Sequence, residues 1–150
     1  MAYCAAPDDT LLPMKTKPYL CLEDAQLIVA AATKHAQAHG WGVSICVCDD
    51  GGHILLLQRG DGAAPFTARM AIAKATAAAL GRRESKAFED SINQGRTAFV
   101  TAPLEGMLEG GVPIAADGHV LGAVGVSGVK SSEDAEIARA GIAALVVERS

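Results

Sequence analysis

The sequence predicts a single α+β domain, an antiparallel β-sheet with helices packed on it. Three observations predict it. Two apolar segments are each folded back by a glycine turn, Asp49-Asp50-Gly51-Gly52 in the first and Ala116-Asp117-Gly118 in the second, the signature of a β-hairpin. Segments with apolar residues at helical spacing come before, between and after the hairpins. The chain has 150 residues, of which 50% are hydrophobic, enough to bury one core.

The first helix is expected from Leu22 to His39, where Leu22, Ala25, Val29, Ala32 and Ala36 recur at helical spacing and Gly40 supplies the stop. Cys21 fills its cap position and accepts hydrogen bonds less well than serine or threonine, so a fraying start is expected, although Asp24 suits the helix N-terminus. Strands follow over Val43 to Cys48 and His53 to Gln58. Leu55, Leu56 and Leu57 break the polar alternation of a half-exposed strand, which predicts a sheet covered on both faces, by helices or by another subunit. A loop from Arg59 to Pro65 then leads into a helix reaching Leu80, with Pro65 in its first turn and Gly81 beyond its end. Further helices are expected at Ser85 to Asn93 and, as a short segment, at Leu104 to Glu109. The second hairpin joins Val112 to Ala115 with His119 to Val126. Ser131 with Asp134 reads as a capping box opening a last helix, with Ala135, Ala138, Ile142 and Leu145 on one face.

Glycines recur where apolar neighbours indicate strand, in Gly110-Gly111 and from Gly122 to Gly128. Either a ligand or another backbone needs the missing side-chain space. No phosphate-loop ending or complete dinucleotide turn accompanies them. Residues 1–19 hold three prolines and mixed charges and read as a flexible N-terminal arm, leaving 20–150 as the folded domain.

Composition narrows the function. Thirteen basic against 17 acidic residues give a net charge of −4 with no basic stripe, so nucleic acid is not an expected partner. No apolar run reaches the roughly 20 residues of a membrane span, and residues 1–19 lack the pattern of a secretory signal, so a cytoplasmic protein is expected. The four cysteines match no metal-site spacing; Cys46 and Cys48 share one strand face and read as buried free thiols. The alanine runs at residues 30–32 and 77–79, with one Trp, two Tyr and three Phe, predict closely packed elements and homo-oligomeric interfaces.

Several strings together resemble the GlcG/HbpS family, which also includes the C-terminal domain of PduO-type proteins. They are Leu22-Glu23-Asp24-Ala25, Val47 through Asp49 with Gly51-Gly52-His53, Arg59 with Asp61-Gly62-Ala63, Ala73-Lys74-Ala75, Gly110-Gly111-Val112-Pro113-Ile114, and Gly122 through Gly128. The resemblance spans about residues 20–148 and implies a profilin-like arrangement, usually assembled into oligomers. Some members bind heme, the HbpS type is linked to heme degradation and redox sensing, and others belong to catabolic operons. Two departures stand out: Cys21 replaces the usual capping hydroxyl, and Cys48 lies where many relatives carry an aliphatic residue. No family heme ligand is carried onto a residue of this chain.

Candidate site residues follow from chemistry. Heme iron needs an axial donor, and His53 and His119, each leaving a glycine turn into a strand, are the candidate heme ligands. His35 and His39 stand one helical turn apart with no carboxylate between them as in a zinc-protease helix, and read as a solvated face; no metal site is expected. Arg59 offers a bidentate fork for a carboxylate, with Asp61 beside it and Lys74 as a compact cation that, inside an alanine-rich helix, needs a partner. Gly110 and Gly111 before Pro113 offer backbone N–H donors, and Ser127 offers a hydroxyl without the histidine-acid pair of a nucleophile. Asp134 is explained by the dipole of the last helix.

The function these residues predict is an oligomeric small-molecule-binding protein of the GlcG/HbpS type, with heme or a small organic acid in a pocket lined by Arg59, Asp61, Lys74 and the Gly110–Pro113 turn. Heme is the only cofactor expected. The alternative is a cofactor-independent lyase or isomerase acting on a small carboxylate, with Lys74 or Asp61 as acid/base. A third reading is an assembly scaffold without a ligand.

Overall fold

The computed structural model describes residues 14–148 of the chain, and side-chain environments as far as Leu145. The N-terminal arm expected at residues 1–19 lies outside the described residues as far as residue 13. Helix α1 (Leu22–Ala38) is followed by strands β1 (Ser44–Asp49) and β2 (Ile54–Arg59), helices α2 (Pro65–Gly81) and α3 (Lys86–Asn93), a 3-10 turn (Thr97–Thr101), strands β3 (Gly111–Ala116) and β4 (His119–Ser127), and helix α4 (Ser131–Glu148). The strands form one antiparallel sheet in the order β2-β1-β4-β3, so the central pair joins the two hairpins. The second hairpin closes through Asp117 and Gly118, both left-handed (φ 51° and 76°), as a two-residue turn matching strand twist requires.

The sheet is covered on both faces, which explains why its central strands are apolar throughout. Ile45 and Val47 point to one side, where they pack with Ile28, Val29 and Ala32 of α1 and with Ile137 and Ala138 of α4. Cys46 and Cys48 point to the other, beneath Ala71, Ala75, Ala78 and Ala79 of α2. The edge strand β2 is covered less completely than Leu55-Leu56-Leu57 suggested. Leu55 and Leu56 pack against the core, whereas Ile54 and Leu57 remain 48% and 37% exposed, since the alanine face of α2 lies over β1.

The glycine-rich strands owe their composition to close packing. A Cβ at Gly125 would stand 2.1 Å from the Ala71 carbonyl oxygen, and one at Gly111 would stand 2.2 Å from that of Lys74. The sheet and α2 therefore meet backbone to backbone.

Four local expectations are corrected. The start of α1 is closed rather than frayed: the Asp24 carboxylate accepts the Cys21 N–H (3.0 Å) and its thiol (3.2 Å). Arg82 (φ 52°), not Gly81, takes the left-handed position after α2, because Gly81 is needed where the Phe88 ring would come within 2.5 Å of a Cβ. Leu104 to Glu109 is irregular rather than helical, for Gly106 is left-handed (φ 71°) and sits against the Ala73–Lys74 backbone. Ser131 is the first residue of α4 rather than its cap, and Lys130 donates its N–H to Glu133 (3.1 Å). Among the described residues no helix is long and apolar enough to cross a membrane.

Candidate functional site

Lys74 has the partner its setting demands, and that partner is Asp134. The small residues of α2 let the helix lie on the sheet but give a buried ammonium nothing to bond. Lys74 Nζ donates to Asp134 Oδ2 at 2.8 Å and to the Val126 carbonyl at 3.1 Å, with side-chain exposures of 5% for Lys74 and 2% for Asp134. The other Asp134 oxygen accepts the Val129 N–H at 3.2 Å. Burial pushes the Asp134 carboxyl above its ordinary range, against the opposing pull of Lys74 and the Val129 N–H. Gly110 leaves room for this link, since a Cβ there would lie 2.8 Å from Nζ. The pair ties α2 to β4 and α4. Asp134 therefore does more than face the helix dipole.

The other expected site residues lie apart from this link. Arg59 ends β2 opposite Ser44, which pairs on its other side with Ser127, so two strand spacings separate Arg59 from Ser127. Asp61 is exposed and lines a groove of about 250 Å³ with Thr33, Gln37, Trp41 and Gln58, on the α1 side. Pro113 pairs with Ala123 on the edge strand β3. The Gly111 N–H is taken by Ser85 Oγ (2.8 Å), and the Gly110 carbonyl accepts the Val126 N–H (3.0 Å). Ser127 is buried in the sheet at 7% exposure. His53 and His119 are exposed at the turn end of the sheet, the His53 N–H being bonded to Asp49 Oδ1 at 2.9 Å. Within one chain the fold thus brings Lys74 to Gly110 and Gly111, but brings neither Arg59 nor Asp61 to them.

A different concavity runs along the outer face of α2. Arg69, Ala73 and Leu80, together with Ile72 and Thr76, fall on one side of the helix by their spacing, and Pro103, Leu104 and Glu105 form the facing lip of a cleft of about 420 Å³. The left-handed Gly106 holds that lip against the helix. On the far side of Leu104 a second cleft of about 350 Å³ is walled by Ile92, Val100, Met107 and Leu108, with Glu89 at its edge. Leu80, Val100 and Leu108 are 51%, 68% and 43% exposed. Arg69 makes no hydrogen bond or ion pair with any of the described residues. The tip of the first hairpin borders the main cleft: a Cβ at Gly52 would meet Thr76 at 3.1 Å and Leu80 at 3.6 Å, and His53 follows it. Sequence reasoning missed this cleft, because its signal is an arginine on the helix face opposite the alanines together with an irregular segment read as helix.

Two buried thiols lie under the alanine face of α2, on the side away from this cleft. Desolvation pushes Cys46 up to about 12 and Cys48 up to about 11, so both stay protonated and inert beneath α2.

Comparisons with known proteins agree with this architecture. Residues 20–143 match the family described as "Haem degrading protein HbpS-like". Protein GlcG of Escherichia coli (strain K12) is 56% identical over 114 residues, covering 76% of this chain and 85% of GlcG. The crystal structure of a double mutant of Streptomyces reticuli HbpS superposes with a TM-score of 0.82 at 32% identity, over 95% of this chain and 98% of HbpS. A PduOC:heme complex shares the fold, with a TM-score of 0.77 at 24% identity, over 85% of this chain and 95% of PduOC. With the family match spanning most of the chain, and GlcG and HbpS both above 30% identity, this chain belongs to the GlcG/HbpS family of HbpS-like proteins.

Proposed function

We propose that this protein binds a small molecule that joins an apolar body to a carboxylate, heme or a small organic acid, in the cleft on the outer face of α2. Arg69 carries the proposal. It is an uncommitted guanidinium among the described residues, at one end of a wall built from Ile72, Leu80 and Leu104. A guanidinium fork holds a carboxylate through two parallel N–H donors, and the wall removes the ligand's apolar surface from water at about 25 cal/mol per Å². Glu105 on the lip repels a second carboxylate nearby and so orients the first.

The heme form of the proposal draws support from the family description and from the PduOC complex. The donor chemistry of the cleft fits heme in part. Arg69 suits a propionate and the walls suit a ring face, but none of the lining side chains is an imidazole, thiol, thioether or phenol. In this reading His53, which follows Gly52 in the chain, or His119 at the same end of the sheet would hold the iron. Bound heme would supply redox-active iron; the chain's own part is to hold the carboxylate and shield the ring.

Homo-oligomeric assembly belongs to the same proposal. Ile54 and Leu57 pair with Cys48 and Cys46 and so lie on the α2 side of edge strand β2, where a second copy would cover them. A cytoplasmic setting would keep the thiols reduced. The lyase or isomerase alternative is not favoured, since the Lys74 ammonium is enclosed with Asp134 while Asp61 lines another groove.

The test is a hemin titration of the tag-free protein followed by absorption spectroscopy, with Arg69→Ala, His53→Ala and His119→Ala in parallel. A saturable, stoichiometric Soret shift is expected, weakened about tenfold in Arg69→Ala by loss of the charge-assisted pair and altered in line shape in His53→Ala. An affinity unchanged in Arg69→Ala would overturn the cleft assignment. Non-saturating change in all four proteins would remove heme and leave the small acid, to be sought by calorimetry with short-chain carboxylates.

A further inference from the structure

We propose that His35, His39 and Glu136 form a binding site for a divalent cation of the zinc type on the seam between α1 and α4. The site is separate from the α2 cleft and does not depend on its ligand. Sequence spacing places the two imidazoles one turn apart on α1; the tertiary fold adds a carboxylate from α4. One donor atom from each of the three residues lies within 4.8 Å of the other two.

The rings are already oriented. His39 Nδ1 lies 2.9 Å from the His35 carbonyl oxygen, which only accepts, so Nδ1 carries the proton and Nε2 keeps its lone pair for a metal. This is the backbone-carbonyl support that fixes the tautomer of metal-binding histidines. Trp41 stacks on the His39 ring at 4.3 Å and 16°, limiting its rotation. His35 Nε2 lies 2.8 Å from Glu136 Oε1, an imidazole and a carboxylate sharing a proton that a cation would replace.

Two nitrogens and one carboxylate oxygen suit zinc, with a fourth position left for water. Tetrahedral bonds of about 2.1 Å separate the donors by about 3.4 Å, so the cluster has to contract slightly. Glu136 can supply that movement, its side chain being 53% exposed. Lys34 lines the adjoining hollow, and as an exposed, long-stemmed cation it can turn to solvent when a metal enters.

The test is calorimetric titration of the full chain with zinc chloride in a Cys21→Ser background, which removes the exposed thiol among the described residues. One zinc per chain is expected. His35→Ala and His39→Ala should each weaken it by about tenfold or more, and Glu136→Gln by several-fold. Zinc should also raise the thermal midpoint of the unmutated site, raise it less in the His35→Ala and His39→Ala variants, and leave that of the double histidine variant unmoved, because the metal bridges two helices. Binding that persists in the double histidine variant, or that is indifferent to Glu136→Gln, would overturn the site.

Discussion

Changing Lys74 to methionine keeps the stem that lies along the sheet and removes the ammonium. Asp134 would then stay 2% exposed with the Val129 N–H as the remaining donor to its carboxylate among the described residues, and the Val126 carbonyl would lose its contact to Nζ. Breaking a buried pair by deleting one partner costs about 3–5 kcal/mol, a large share of the 5–15 kcal/mol that holds a typical domain. For a chain of this length the thermal midpoint should fall by roughly 6–20 °C. The pH dependence identifies the cause. Burial already holds the Asp134 carboxyl above its ordinary range, and loss of Lys74 removes the main opposing influence and raises it further. A carboxyl whose folded pKa exceeds its unfolded value holds its proton more tightly when folded, so stability falls as pH rises from the ordinary carboxylate value to the raised one. The deficit of Lys74→Met relative to the unmutated protein should therefore be full at pH 7 and shrink as pH approaches 4. Urea unfolding followed by circular dichroism at both pH values measures it. The double variant Lys74→Met/Asp134→Leu, which removes both charges, should recover most of the loss. A single variant within about 1 kcal/mol of the parent, below any buried-pair cost, would refute the reasoning. A deficit equally large at both pH values would refute it as well.

Two further outcomes follow from packing and desolvation. Gly125→Ala would drive a Cβ to 2.1 Å from the Ala71 carbonyl and 2.4 Å from the Ala75 nitrogen; urea unfolding should show a loss at or above the usual 1–3 kcal/mol of overpacking, because two backbones have to separate. In a Cys4→Ser background, titration with a thiol-reactive chromophore should find Cys21 reacting at once and Cys46 and Cys48 only on unfolding, as thiols raised to about 12 and about 11 hold almost no thiolate at neutral pH.

Much of the fold was legible because its signals are local. Gly40 and Pro65 mark real helix ends, the Asp-Gly turn closes the second hairpin, and apolar residues on both faces of β1 reflect two covering layers. The expected helix at Leu104 to Glu109 failed for a tertiary reason: Gly106 takes a left-handed conformation to lie on α2, and composition does not distinguish that from a helix. The site was harder to read. That Lys74 needs a partner followed from its alanine-rich helix, but Asp134 lies 60 residues away and looked sufficient as a helix-end acid. Arg59 and Lys74 are both cations flanking the same hairpin-helix unit in sequence, yet Arg59 ends the edge strand β2 while Lys74 turns inward to β4 and α4. Glu136 joins His35 only through the packing of α4 on α1, a contact that spacing along either helix cannot reveal.

The central claim is that the ligand lies on the outer face of α2, and paramagnetic broadening by hemin of the backbone amide signals of the isotope-labelled protein tests it directly. Broadening concentrated at residues 69–80 and 104–105, with the amides of Asp61 and Val112 sharp, is the predicted result. Broadening centred on Arg59, Asp61 and the Gly110–Pro113 turn, with Arg69 untouched, would contradict it.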